Sequence, residues 1–104
     1  MRVAALVAAL LLAAAPAEGR TVTVRWRWSD PDPARKLAGF KLYTRHVDQA
    51  YGPGRDVGLP PEVDGVYRFA LELSDTDATY VCATAYDDRG RESRCSNEKL
   101  FLLP

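Results

Sequence analysis

From Thr21 to Trp28 the chain alternates without interruption. Val22, Val24, Trp26 and Trp28 fall on one side; Thr21, Thr23, Arg25 and Arg27 fall on the other. A period of two is the mark of a half-buried β-strand, whereas the apolar side of a helix recurs at about 3.6 residues. The pattern returns from Gly39 to His46, where Phe40, Leu42 and Thr44 oppose Lys41, Tyr43 and Arg45. It returns again from Val66 to Leu73, with Tyr67, Phe69, Leu71 and Leu73 opposed to Val66, Arg68, Ala70 and Glu72. Thr79 to Tyr86 is rich in Thr, Tyr and Val, which suit a pleated surface. Arg55 to Val57 reads as a short edge strand and Cys95 to Leu103 as the last strand.

The breaks between these stretches are turn chemistry. Ser29-Asp30-Pro31-Asp32-Pro33 carries two prolines, which cannot continue a ladder. Tyr51-Gly52-Pro53-Gly54, Pro60-Pro61, Asp64-Gly65, Ser74 to Asp77 and Asp87 to Arg91 interrupt the rest. Asp32 to Ala38 has room for one helical turn at most. Short strands separated by such turns predict a single all-β sandwich. A chain of 104 residues has room for one domain, so a cleft between two domains is excluded.

The first 17 residues read as an export signal and 18–104 as the domain. Met1-Arg2 is followed by an apolar run, Val3 to Ala15, and by Ala15-Pro16-Ala17, a small-x-small exit. The run is shorter than the roughly 20 residues that a spanning helix needs. No membrane contact is therefore expected after cleavage, and the mature chain is expected in the periplasm or outside the cell. Fourteen basic and 14 acidic residues balance. No basic field points to nucleic acid. The two cysteines, Cys82 and Cys95, predict a disulfide in an oxidising compartment, within one chain or between two. With a single histidine, His46, they are too few for a usual zinc site. The acidic pairs Asp30/Asp32, Asp75/Asp77 and Asp87/Asp88 read as turn formers. No metal and no cofactor are expected.

The order of motifs resembles the fibronectin type III family, particularly its bacterial members. The matching residues are Val24-x-Trp26-x-Trp28, a Pro/Asp-rich loop, Ala38-Gly39-Phe40-Lys41-Leu42-Tyr43 and Asp56-Val57-Gly58. The most specific block is Ala83-Thr84-Ala85-Tyr86-Asp87, followed by Gly90-Arg91-Glu92-Ser93 and Ser96-Asn97-Glu98. The resemblance implies an immunoglobulin-like β-sandwich of fibronectin type III type whose first strand is short or missing, since only Glu18-Gly19-Arg20 separates Ala17 from Thr21. It also places Thr79 where the family usually has a corner tyrosine. Either that corner is lost, or the strand is shifted by one residue and its faces exchange. Without a first strand, Thr21–Trp28 becomes a free edge open to a partner strand or to a second copy. Arg25 and Arg27 would guard that edge by charge or pair with Glu72.

Candidate sites follow from the faces. Trp26, Trp28, Phe40 and Phe69 are expected as core aromatics; Trp26 and Trp28 would form a sugar-stacking platform only if they faced solvent. Lys41, Tyr43 and Arg45, with Tyr80, Thr84 and Tyr86, would share an outer face that serves either as a contact surface or as ordinary cross-strand pairing. Arg89 and Arg91 are loop candidates in the position where adhesive family members carry Arg-Gly-Asp, but the aspartate is absent. No catalytic residue is expected, because nothing places a nucleophile beside His46. The expected function is an exported, non-catalytic binding or structural module with a protein or cell-surface partner. The alternative is a polysaccharide-binding accessory module, and behind it a small hydrolase with a pocket around His46.

Overall fold

A computed structural model describes residues 19–29, 32, 35–74 and 78–102. The proposed signal at 1–17, together with Asp30, Pro31, Pro33, Asp75, Asp77 and Leu103, lies outside them. Alternation produces four long strands: β1 (Gly19–Arg27), β2 (Leu37–His46), β5 (Val66–Ser74) and β6 (Thr79–Asp87). The described residues also form three short ones: β3 (Arg55–Gly58), β4 (Glu62–Val63) and β7 (Lys99–Phe101). Every pairing is antiparallel. One sheet has the order β1-β5-β4 and the other β3-β2-β6-β7.

The two sheets meet through the residues that the period of two turns inward. Val24, Leu71 and Leu73 of the first sheet pack with Leu42, Val81 and Ala83 of the second. Phe40 is fully buried at 1% exposure, and burial of such a side chain is worth about 1.5–3 kcal/mol. Its ring lies edge-on to Trp26 at 5.2 Å and tilted against Tyr67 at 4.5 Å. Trp26 in turn stacks on Tyr67 at 6.1 Å. Arg20 joins the sheets at their other end, donating to the carbonyls of Phe101 and Leu102.

Three details differ from the sequence expectation. The sequence marks β4 only as a break. It exists because Asp64 (φ 54°) and Gly65 (φ 81°) make a two-residue hairpin turn with both residues left-handed. The Glu62 carboxylate reinforces the turn by accepting the Gly65 N–H. β1 ends at Arg27, so Trp28 falls one residue beyond the strand. The last strand covers only Lys99–Phe101 rather than Cys95–Leu103.

The third difference has a local cause. Ser93 and Ser96 donate their backbone N–H groups to the carbonyls of Ala85 and Ala83, each at 2.8 Å. Two residues, Arg94 and Cys95, separate the serines, but only Thr84 separates the alanines. The extra residue makes a bulge and withdraws the carbonyls that a ladder would supply. The serine hydroxyls replace them, accepting the N–H groups of Ala85 and Ala83 at 2.9 Å.

The register of β6 is now fixed. Thr79 is buried at 2% exposure, and Tyr80 turns to the outer face opposite Arg45. Thr79 therefore faces the interior and Tyr80 the outside, with no shift by one residue. Glu72 stands opposite Thr21, and Arg25 stands opposite Arg68. The pairing of Arg25 or Arg27 with Glu72 is accordingly not formed.

Candidate functional site

The β2–β6 register places Lys41 opposite Thr84, Tyr43 opposite Cys82 and Arg45 opposite Tyr80. Together with Tyr86, opposite Gly39, these residues tile the outer face of the four-stranded sheet. Cys82 and Cys95 are bonded to each other on this face, with Cα atoms 5.7 Å apart, so the bridge is within the chain. It ties β6 to the bulged segment before β7.

Carboxylates from distant segments organise the tiles. Glu98 receives Nε and Nη2 of Arg45 at 2.8 and 2.9 Å, and the Tyr51 hydroxyl as well. The Arg45 guanidinium lies 4.2 Å over the Tyr80 ring and 5.5 Å from that of Tyr51. Glu92 accepts the hydroxyls of Thr84, at 2.6 Å, and of Tyr43, with Lys41 at 3.8 Å. Asp56 on β3 accepts the Tyr86 hydroxyl at 2.7 Å, and Lys41 sits 5.8 Å over the Tyr86 ring. Two glycines make the tiling possible: a Cβ on Gly39 would strike the Tyr86 ring, and one on Gly54 would strike Tyr43.

These contacts move every shifted group away from neutrality. Arg45 and then Tyr51 hold Glu98 down at about 2. Hydrogen bonds from Thr84 and Tyr43 lower Glu92, and those from Tyr86 and the Gly58 N–H lower Asp56. Burial and then Glu98 push Tyr51 up to about 12. Bonding to Glu92 raises Tyr43, and bonding to Asp56 raises Tyr86. Around neutral pH the carboxylates are charged acceptors and the phenols are protonated donors. The face is a preset pattern of aromatic rings in which the hydroxyls of Tyr43, Tyr51 and Tyr86 are already committed.

The loop candidates form a different cluster. Asp87 is buried, which on its own would raise its pKa. The N–H groups of Arg91 and Arg89 and the Arg91 Nε, all within 2.9 Å, outweigh that and lower it. Arg91 thus closes its own turn. Arg89 and Arg91 also line a polar cleft of about 360 Å³ with Asp32, Arg35, Lys36 and Asp88.

Among the expected core aromatics, Phe40 is buried, and Trp26 and Phe69 are half-buried against the apolar cluster. Trp28 is half-buried beside Leu37 and Ala85, outside that cluster. The Trp26 ring packs against Phe40 and Tyr67. His46 ends β2 opposite Thr79. Sequence reasoning missed Tyr51, Asp56, Glu92 and Glu98 as members of the outer face. Alternation within a strand carries no signal for partners 30 to 53 residues away.

No family model, no curated protein and no solved structure matches this chain.

Proposed function

We propose that this chain is an exported protein-recognition module of fibronectin type III type that docks its partner on the outer face of the β3-β2-β6-β7 sheet. The observation that carries the reading is the Arg45–Glu98–Tyr51 network lying over Tyr80. It fixes aromatic and cationic groups before any partner arrives. Tyr and Arg are the residues enriched where interfaces derive most of their binding energy, and prior ordering removes part of the entropic cost of association. The fibronectin-type assignment is supported by the strand order β1-β5-β4 against β3-β2-β6-β7. Export is supported by the apolar start of the chain and by the intact disulfide.

The experiment is site-specific photo-crosslinking in the native host. The photoreactive residue is placed at position 41 on the tyrosine-rich face or at position 70 on the outer face of the other sheet. A discrete protein adduct from position 41 and none from position 70 supports the reading. Equal adducts from both, or none from position 41, overturns it. The mass of the exported chain gives the second check, with Glu18 as the expected first residue.

A further inference from the structure

The opposite sheet presents a second surface, independent of the tyrosine-rich face. Among the described residues β1 is paired on one side only, to β5. The direction of its free groups follows from one bond. The Arg68 N–H donates to the Pro61 carbonyl at 3.1 Å, away from β1. The Arg25–Arg68 pair is therefore a non-hydrogen-bonded one, and by alternation the N–H and C=O groups of Thr23, Arg25 and Arg27 turn outward. These are open ladder positions.

Beside this edge, between β1 and β7, lies a groove of about 620 Å³. Its walls include Val24, Trp26, Val81, Ala83 and Phe101, with Lys99 at the exposed end. That volume is within the range of binding sites, about 300–1,000 Å³. On the outer side, Arg25, Arg27 and Arg68 are exposed and adjacent, and none has an ion-pair partner among the described residues. Arg27 makes one long contact, 3.5 Å to the Asp64 carbonyl.

We propose that the β1 edge is a strand-addition site for an extended acidic segment of a partner protein, in which acidic and apolar residues alternate. Added to β1, such a segment would turn its acidic side chains to Arg25 and Arg27 and its apolar ones into the groove, because successive side chains of a strand point to opposite faces. Main-chain bonds to Thr23, Arg25 and Arg27 supply affinity, and the alternating pattern supplies specificity. A second copy fits less well. Antiparallel β1–β1 pairing centred on Arg25 sets arginine against arginine. Pairing centred on Thr23 sets Arg25 against Thr21 and leaves all the arginines without counter-charge.

The test is amide hydrogen exchange on the isotope-labelled protein with two blocked peptides of about seven residues, the length of an ordinary strand. One alternates Val with Glu and the other Val with Lys. At a peptide concentration about ten times its dissociation constant, the Val/Glu peptide is expected to slow exchange at Thr23, Arg25 and Arg27 by about tenfold. The Val/Lys peptide is expected to leave them unchanged. The double variant Arg25→Glu, Arg27→Glu, exposed and so compatible with folding, is expected to reverse the preference, and its own amide spectrum reports its fold. An equal response to both peptides, or a response to neither, overturns the proposal. So does protection without peptide, whether constant (the chain covers its own edge) or rising with protein concentration (a second copy does).

Discussion

Arg45 and Glu98 meet in a two-pronged ion pair, 2.8 and 2.9 Å, that fastens the middle of the four-stranded sheet to the segment leading into β7. The pair is shielded by the Tyr80 ring under the guanidinium. Two fixed bonds in one plane give this contact a geometry that a lysine in place of Arg45 would not reproduce.

The pair sets an acid limit. Folding lowers the Glu98 pKa from about 4.3 to about 2. Its contribution to stability is thus complete above the unfolded value and is lost as the pH falls toward 2. Glu98→Gln is expected to lower Tm at pH 7 and to flatten the fall in Tm between about pH 4.5 and 2. Thermal melts of both proteins across that range check this, and parallel pH profiles would refute it.

The disulfide is the second fastening. It joins residues 13 apart in sequence, a loop whose closure is worth roughly 3 kcal/mol in the chain-entropy model. The paired variant Cys82→Ala, Cys95→Ala is expected to lose about that much, a fall in Tm of roughly 12–24 °C for a domain of this size. Calorimetry of the variant against the oxidised protein measures it. A fall of only a few degrees would mean that the Ser93–Ser96 bulge holds the segment unaided.

That bulge yields its own prediction. Ala83 and Ala85 are buried, and their N–H groups depend on the Ser96 and Ser93 hydroxyls. Ser96→Ala or Ser93→Ala leaves a buried donor unmatched, which costs about 1–3 kcal/mol. Denaturant unfolding of each variant is the measurement. Cysteine at the same positions, a weak acceptor, is expected to recover only part of the loss.

Gly39 and Tyr86 show how the face depends on a missing side chain. A methyl group at Gly39 occupies the space of the Tyr86 ring. The ring must then swing away from Asp56 and Lys41. Gly39→Ala is expected to return one tyrosine toward the ordinary phenolic pKa, because the bond to Asp56 is the main cause of the rise at Tyr86. Ultraviolet titration of the phenols reads this directly. An unchanged titration would place the ring elsewhere.

The reach of the sequence follows from the range of each interaction. Val22, Val24, Leu42, Leu71 and Leu73 declare their faces through their immediate neighbours, so the long strands and the inner layer were legible. β4 has two residues, too few for alternation, and Asp64-Gly65 marks only a break in the sequence. β7 is shorter than the sequence suggests because Arg94-Cys95 inserts a residue that alternation cannot register. Of the outer face, the sequence showed Lys41, Tyr43, Arg45, Tyr80 and Tyr86. The carboxylates that hold them come from other segments and are specified only once the sheet has formed.

Arg25 and Arg68 provide the sharpest test of the other sheet. They stand directly opposite each other in a non-hydrogen-bonded pair, the kind in which cross-strand side chains come closest. Like charges so placed destabilise a sheet, and an opposite pair contributes about 0.2–1 kcal/mol. Arg68→Glu is therefore expected to raise stability, with the gain shrinking in high salt because both groups are exposed. The same substitution is expected to weaken the Val/Glu peptide on the β1 edge. Denaturant unfolding at low and high salt, followed by peptide titration of the same variant, separates the two effects. If Arg68→Glu destabilises the protein, the repulsion is already relieved by solvent. If it stabilises the protein and the peptide still binds as before, the arginines do not recognise an acidic strand.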